Sequence, residues 1–250
     1  MNSDSPKAMY KIVAPAILGV LCLVGCSQNA STSEQSAPIS PSVAQSVAQS
    51  EISPVQSQST QAQATAVTQE STEHTQKYHA IIQDIKEQLS DAIKARDVDM
   101  AFIKSMIAHH QAAVSMAYVE LKHGKNPQVR EMAQAVIDTQ QAEIGWMKDW
   151  LIAQPKQKDI SDDLSDVQQQ IAKIDQQAFD HMIDDSNDPD ADTAFAKVMI
   201  GHHKLAVNMA KIYQKQSLAS EIDDFVNQMM MEQQHHIDTM KAWLKSDKKR

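Results

Sequence analysis

Phe102-Ile-Lys-Ser-Met-Ile-Ala-His-His-Gln-Ala-Ala-Val-Ser-Met-Ala117 is a stretch of sequence that this chain uses twice. It returns 93 residues later as Phe195-Ala-Lys-Val-Met-Ile-Gly-His-His-Lys-Leu-Ala-Val-Asn-Met-Ala210, with 10 of 16 residues identical. At the same offset, Gln140–Leu151 matches Gln233–Leu244 at 7 of 12 positions. Two blocks in one register, without a gap, indicate that one supersecondary unit occurs twice.

Local signals predict that each unit is a helical hairpin. Asp97 or Asp99 can cap the helix that carries the first pair of histidines, and Gly124 suits its C-terminal end. Asn126-Pro127 then provides an N-cap and a proline for the first turn of the next helix, which should end near Ala153. Short connections between long helices favour antiparallel neighbours, so two hairpins predict a four-helix bundle.

The rest of the folded part is also expected to be helical. The chain has only 5 glycines and as many as 14 methionines, and this composition favours helix over sheet. In the second unit Asp188-Pro189 precedes a helix from about Ala191, and Ser217–Ser220 separates it from the last helix. Additional leading helices, roughly at 76–95 and 162–185, precede the two hairpins. The predicted fold class is therefore all-α.

The repeated helix has an unusual inward stripe. At 100° per residue, its aromatic, thioether, imidazole and alanine side chains share an arc of roughly 120°. The alanines allow a neighbouring helix to approach, while buried histidines need partners. The stripe comprises Phe102, Met106, His109, His110, Ala113, Met116 and Ala117, and in the second unit Phe195, Met199, His202, His203, Ala206, Met209 and Ala210.

The second helix of each hairpin should complete the same layer. If the first turn is centred near residue 124 or 125, Met106 lies opposite Glu143, and Phe102 lies opposite Met147. In the second unit Met199 lies opposite His236. On the last helix three candidate ligands follow one another at i, i+4 and i+8, which places them on one face. These three residues are Glu232, His236 and Met240.

This set of side chains favours a copper site. Thioether sulfur is a soft ligand for Cu(I), while imidazole accepts both Cu(I) and Cu(II). Both cysteines, Cys22 and Cys26, lie near the N-terminus, so a thiolate site in the helical part is excluded. Methionines at helical spacing are often core residues. Two adjacent histidines, repeated with the same flanking methionines, are harder to explain by packing, and they favour metal binding. The other histidines His74, His79 and His123 are expected at the surface.

The N-terminal segment predicts export and membrane tethering. Lys7 and Lys11 precede a short apolar run, which ends in Leu23-Val24-Gly25-Cys26. This pattern resembles a bacterial lipobox, and it implies a signal peptide over 1–25 and lipidation of Cys26. A Ser-, Gln- and Ala-rich tether over 26–75 is expected to be disordered. The helical metal-binding domain then spans 76–247, with units at about 76–155 and 160–247. Ser27 follows the cysteine, which implies the outer membrane, facing the periplasm.

Charge and motif content exclude several classes of function. The net charge of −9 argues against a nucleic-acid binder, which would carry a basic face. It also gives no reason to expect attraction to anionic lipid, so contact with the membrane should be through the lipid anchor only. We find no catalytic triad, phosphate-binding loop or nucleotide motif in the sequence, so no catalytic residues are assigned.

The repeated motifs resemble those of a known family. Phe-x-x-x-Met-Ile-x-His-His-x-x-Ala-Val-x-Met-Ala, followed by Gln-x-x-x-Ile-x-x-Met-x-x-Trp-Leu, is similar to the CopM-like family of exported bacterial proteins. The similarity spans roughly residues 76 to 245. It implies a ferritin-like four-helix bundle, periplasmic copper binding and a role in copper tolerance. The implied ligands are Met106, His109, His110, Met116, Met199, His202, His203 and Met209.

Two other functions are compatible with the sequence. A di-iron oxidase needs Glu-x-x-His on two helices, and Glu120-x-x-His123 and Glu232-x-x-His235 have this spacing. However, Glu120 lies about 15 Å along its helix from the paired histidines, at 1.5 Å per residue. A helical scaffold that binds another envelope protein, without a metal, is the second alternative. We expect copper buffering, tolerance or delivery to a partner protein that receives the ion.

Overall fold

Every regular element that the structure describes is an α-helix. The computed structural model describes residues 56–95, 97–154, 164–216 and 218–247. This confirms the all-α prediction, and none of the helices is long and apolar enough to span a lipid bilayer. The predicted signal peptide and Cys26 lie outside the described residues. The helices are α1 Gln56–Ala92, α2 Val98–His123, α3 Pro127–Ala153, α4 Ser165–Ser186, α5 Ala191–Gln214 and α6 Ser220–Asp247.

The helix ends follow from local capping chemistry. Asp97 caps α2, and its carboxylate accepts a hydrogen bond from the Met100 N–H at 2.9 Å. Asn126 caps α3 in the same way, with Pro127 in the first turn. At the start of α5 the Asp190 carboxylate accepts from the Thr193 N–H at 2.8 Å. The boundaries of the two hairpins agree with the sequence prediction.

The first helix begins earlier than expected. α1 starts at Gln56, inside the segment that the sequence predicts to be a tether, and it ends at Ala92. The stretch after Pro54 contains no further proline before Pro127, and it is rich in Gln and Ala, which favour helix. Its scarcity of large apolar residues is therefore compatible with a helix, and composition alone did not locate this boundary.

The six helices form a bundle of two equivalent three-helix units. α2 packs against α1 and α3, and α5 packs against α4 and α6 in the same way. The units meet through α2 with α5 and through α1 with α4, so equivalent helices face each other. The leading helices α1 and α4 are therefore full members of the bundle rather than additions to a four-helix core.

Contacts between α3 and α6 also join the units, but they are made by residues that are not equivalent in the repeat. The Trp146 and Phe225 rings stack with centroids 4.3 Å apart and planes inclined by 12°. One turn further, Trp150 Nε1 donates a hydrogen bond to Glu221 Oε1 at 2.7 Å. We call these two contacts the α3–α6 clamp.

Small side chains let α2 and α5 approach each other closely. Ala113, Ala117, Ala206 and Ala210 are fully buried, as the inward stripe predicts. Beyond them, the Phe102 ring meets the edge of the Tyr213 ring at a centroid distance of 5.4 Å. Small side chains allow helices to pack closely, and His109 and His202 meet between α2 and α5.

Replacing either of two glycines of the first unit by alanine should change the stability of the fold in opposite directions. A Cβ at Gly124 would overlap the carboxyl group of buried Glu120, whereas a Cβ at Gly145 would have no neighbour within 4 Å. We expect G124A to lower the free energy of unfolding by about 1–3 kcal/mol, through overpacking. G145A should raise it by about 0.5–1 kcal/mol, because alanine favours the helix. Urea denaturation measures both, and a stabilising G124A would contradict the packing described.

Candidate metal centre

Two histidines meet where the two units face each other. His109 on α2 and His202 on α5 occupy equivalent positions of the repeat. Their ring centroids are 3.6 Å apart, with the planes inclined by 37°, and both side chains are fully buried. The inward orientation expected from the sequence is thus what the structure shows. The contact places imidazoles at the centre of the bundle.

A second pair of histidines extends this layer outward to α3 and α6. His110 Nε2 lies 2.9 Å from Glu143 Oε2 of α3, and both side chains are fully buried. On the other side, the rings of His203 and His236 of α6 have centroids 5.3 Å apart. Glu143 and His236 are equivalent positions, so the repeat brings a carboxylate to one half of the layer and an imidazole to the other. We call these six residues the imidazole layer.

Glu143 and His236 contact residues about one helical turn away from those that the hairpin geometry predicts. Glu143 was expected opposite Met106, but it bonds to His110. Likewise His236 was expected opposite Met199, but it lies beside His203. Three or four residues correspond to about 5 Å along a helix, which long side chains bridge readily. The predicted pairing is therefore corrected: Glu143 pairs with His110, and His236 lies beside His203.

The ring nitrogens of this layer lack good hydrogen-bond partners. Neither Nδ1 nor Nε2 of His109, His202 or His203 makes a well-formed hydrogen bond among the described residues. His110 Nδ1 and Glu143 Oε1 are likewise buried without one. Leaving a buried polar group unsatisfied costs about 1–3 kcal/mol, so native proteins hold few such groups. Their concentration in one layer marks this region as a candidate functional site.

Burial also fixes the charge state of the central imidazoles. Desolvation lowers the pKa of His109 and of His202 well below the usual value, and neighbouring histidines lower it further. The pKa of His203 is lowered in the same way, first by desolvation and then by His236. These rings are therefore neutral at neutral pH. A neutral imidazole has one free lone pair, which is the form that binds metal ions.

The outer part of the layer is only partly buried. Glu232 and His236 on α6 are half-buried, and Glu232 Oε1 accepts a hydrogen bond from Gln228 at 3.1 Å. Desolvation raises the pKa of Glu232, and the nearby Glu143 charge adds to this effect while His110 opposes it. Desolvation and then His235 lower the pKa of His236. The carboxyl groups of α3 and α6 thus interact beside His110.

The methionines assigned as ligands are all buried. They lie on the same four helices as the residues of the imidazole layer, and several are within one helical turn of a histidine in sequence. Exposed Met231 shows that burial is not shared by every methionine of the chain. The buried thioethers are Met106, Met116, Met147, Met199, Met209 and Met240.

The side chains do not form a closed cage. Within the described residues, no group of three or more His, Cys, Asp or Glu side chains is arranged so that it could hold a metal ion. At the centre, the His109 and His202 ring centroids are 3.6 Å apart, and the ring planes are tilted by 37°. Ring nitrogens bind metals in the plane of the ring, so an ion shared by this pair requires rotation of a ring.

A second polar cluster corrects a prediction about the surface. His74 and His123 were expected to be exposed, but they are 1 % and 5 % exposed. They lie with buried Tyr78, Glu120 and Asp192 where α1, the α2–α3 turn and the start of α5 meet. Because the periodic stripe is read for one helix at a time, it does not show that α1 covers this end of α2. We call these five residues the Glu120 cluster.

Glu120 is held as a neutral acid in this cluster. The two oxygens of Asp192 accept hydrogen bonds from the N–H groups of Lys125 and Asn126, at 3.1 and 2.9 Å. Burial raises the pKa of Glu120 to about 9, and the adjoining Asp192 carboxylate contributes to this rise. Both carboxyl oxygens of Glu120 are buried without a well-formed hydrogen bond, so the uncharged acid is favoured over the carboxylate.

This arrangement separates the two Glu-x-x-His motifs. Glu120 and His123 belong to the Glu120 cluster, whereas Glu232 lies beside Glu143 and His110 in the other layer. His235 is exposed. A di-iron centre requires both motifs around one pair of ions, and the described helices place them in different parts of the bundle.

The acid pair predicts how stability changes with pH. The folded chain retains the Glu120 proton up to about pH 9, while the unfolded chain loses it near the ordinary pKa of 4.5. The free energy of unfolding should therefore fall as pH rises from about 4.5 to about 9. E120Q mimics the neutral acid, so we expect it to be more stable than wild type by about 2–4 kcal/mol at pH 8. Urea denaturation from pH 5 to 9 measures this, and parallel profiles would refute it.

Comparison with known proteins is limited to one family. The model of the family described as a domain of unknown function, DUF305, matches residues 42–151 and 99–244. Two overlapping matches fit a repeated domain, and together they cover most of the chain. Neither a curated protein nor a solved structure matches the chain. The chain therefore belongs to the DUF305 family of uncharacterised helical proteins.

Proposed function

We propose that this protein binds copper ions in the imidazole layer, for copper buffering, tolerance or delivery in the cell envelope. The observation that carries the proposal is the set of buried, neutral imidazoles without good hydrogen-bond partners. A fold that needed only packing would have apolar residues here, since unsatisfied buried nitrogens cost stability. A bound cation would supply the missing partner for several of them at once.

The donors present fit copper better than other common ions. Imidazole nitrogen binds Cu(I) and Cu(II), and thioether sulfur selects Cu(I). Met106 and Met199 lie on the same helical face as the paired histidines and are fully buried. Calcium or magnesium would need mostly oxygen ligands, and a structural zinc site usually draws on cysteine. The resemblance to CopM-like proteins supports the same choice.

Binding is expected to rearrange side chains rather than helices. The central rings are tilted by 37° against each other, and a rotation about the side-chain torsions of His109 or His202 would change where its nitrogens point. Because the imidazoles are already neutral, no proton has to leave before the ion binds. Met116, Met209, Met147 and Met240 complete the proposed ligand set.

The proposed location is the outer membrane, facing the periplasm. This rests on the lipobox that ends at Cys26 and on the segment that connects it to the helices. An oxidising envelope puts thiolate sites at risk, whereas imidazole and thioether ligands avoid disulfide formation. The proposed partners are copper ions and a protein that receives them.

Copper titration of the domain tests the proposal. The variant H109A/H110A/H202A/H203A should lose at least tenfold in affinity for Cu(I), measured without oxygen, and for Cu(II), measured in air. A matched control is H79A/H181A, which removes the same type of side chain from outside the layer and should bind as wild type does. Circular dichroism establishes that each variant is folded. Equal binding by the fourfold variant and wild type would exclude this site and favour a scaffold without metal.

The thioethers can be tested separately, without removing volume. M106L/M199L replaces two buried sulfurs by carbon, and such swaps usually cost less than about 1.5 kcal/mol in stability. We expect affinity for Cu(I) to fall at least tenfold, while affinity for Cu(II) changes less than threefold, because sulfur is the softer ligand. M132L, on buried Met132 of α3, is the control. Unchanged Cu(I) affinity would remove these methionines from the site.

A further inference from the structure

We propose that Asp175 is a proton-dependent latch on α4: its carboxyl group keeps α4 closed against α5 when it is neutral, and it loosens that contact when it is ionised. The latch needs no metal ion and does not depend on copper binding. It lies where the second unit has an acid at a position that the first unit fills with a core residue.

The repeat shows that position 175 faces the core. The counterpart of Asp175, 93 residues earlier on α1, is Ile82, which is fully buried. On α4 itself, Asp175 lies one helical turn from both Ile171 and Phe179, which are buried as well. A carboxyl group thus occupies the middle of the apolar face through which α4 packs against its neighbours.

This carboxyl group has little to offset a negative charge. Asp175 is half-buried, and its Oδ1 atom is buried without a hydrogen bond among the described residues. α4 packs against α5 and α1. The charged side chain that reaches this part of α4 from α1 is Lys86, but it is exposed and donates to Gln176 at 3.4 Å. Burial raises the pKa of Asp175 to about 7.

The group that α5 presents to Asp175 is the phenol of Tyr213. Its hydroxyl lies 3.3 Å from Ser105 Oγ of α2, and both side chains are fully buried. Burial raises the pKa of Tyr213 to about 12; the Ser105 bond opposes this rise, and the Asp175 charge adds to it. A neutral phenol cannot cancel the charge of a carboxylate. An ionised Asp175 therefore favours entry of water at Oδ1, which requires α4 to move away from α5.

Loosening of α4 extends toward the imidazole layer. About two turns beyond Asp175, Met182 packs on Gly201 of α5, since a Cβ at Gly201 would lie 3.1 Å from Met182 Cγ. Gly201 directly precedes His202. The latch thus determines how firmly α4 covers α5 beside the central pair of histidines.

Hydrogen exchange of the full chain measures the latch. Closed α4 retains the Asp175 proton up to about pH 7, whereas opened α4 releases it near the ordinary pKa of 3.8. The free energy of opening should therefore fall as pH rises between these values. We expect the protection factors of α4 amides, which correct for the intrinsic pH dependence of exchange, to drop about tenfold or more from pH 5 to pH 8.

Two substitutions remove the acid and keep the side chain in the interface. D175N imitates the neutral acid, and D175I copies the counterpart Ile82. In both variants the protection factors of α4 should agree within about threefold at pH 5 and pH 8, because no proton is released on opening. D180N is the matched control, since Asp180 is an exposed acid on the same helix. It should keep the wild-type response to pH.

Carbon-13 NMR of the aspartate carboxyl groups in the full chain tests the proton itself, and it needs no variant. A titration midpoint of the assigned Asp175 signal near pH 7 supports the latch, whereas a midpoint near 3.8 overturns it. The same pH response of α4 in wild type and D175N also overturns it, whatever the midpoint. If both variants at position 175 fail to fold, the midpoint and the exchange of wild-type α4 decide.

Discussion

The contact between His109 and His202 is the constraint on which the rest of the bundle depends. Two polar rings lie between α2 and α5, with centroids 3.6 Å apart. Helices can meet there only if both rings are uncharged, and desolvation ensures this by lowering the pKa of each. Packing and protonation are thus linked: the apolar helices around the rings keep them neutral, and neutrality permits the packing.

The surrounding bundle offsets the cost of this polar layer. Buried alanines belong to the same inward stripes of α2 and α5, and the edge contact of Phe102 with Tyr213 adds apolar burial. Ser105 Oγ lies 3.3 Å from the Tyr213 hydroxyl, so this buried phenol is hydrogen-bonded. Unsatisfied polar atoms inside a well-packed domain are expected at functional sites, where stability is exchanged for ligand binding.

Much of the fold could be predicted from the sequence because its signals are local. Asp97, Gly124 and Asn126-Pro127 mark helix ends through bonds to neighbouring residues, and the repeat revealed two equivalent units. The inward stripe also located the central histidines, because helical periodicity decides which face is buried. Burial of His74 depends instead on α1 crossing a distant part of the chain, which no local pattern shows. The hairpin geometry places Glu143 opposite Met106, one helical turn before its partner His110, because that geometry takes no account of side-chain length.

The α3–α6 clamp shows that duplication has not left two self-sufficient halves. Trp146 stacks on Phe225, but the equivalent of Trp146 in the second unit is Thr239, and that of Phe225 in the first is Met132. The ring stack therefore joins a residue unique to each unit and cannot form twice. An assembly of two identical copies of either unit would lack the ring stack altogether. The two units have therefore diverged at these positions, and the ring stack requires one residue from each of them.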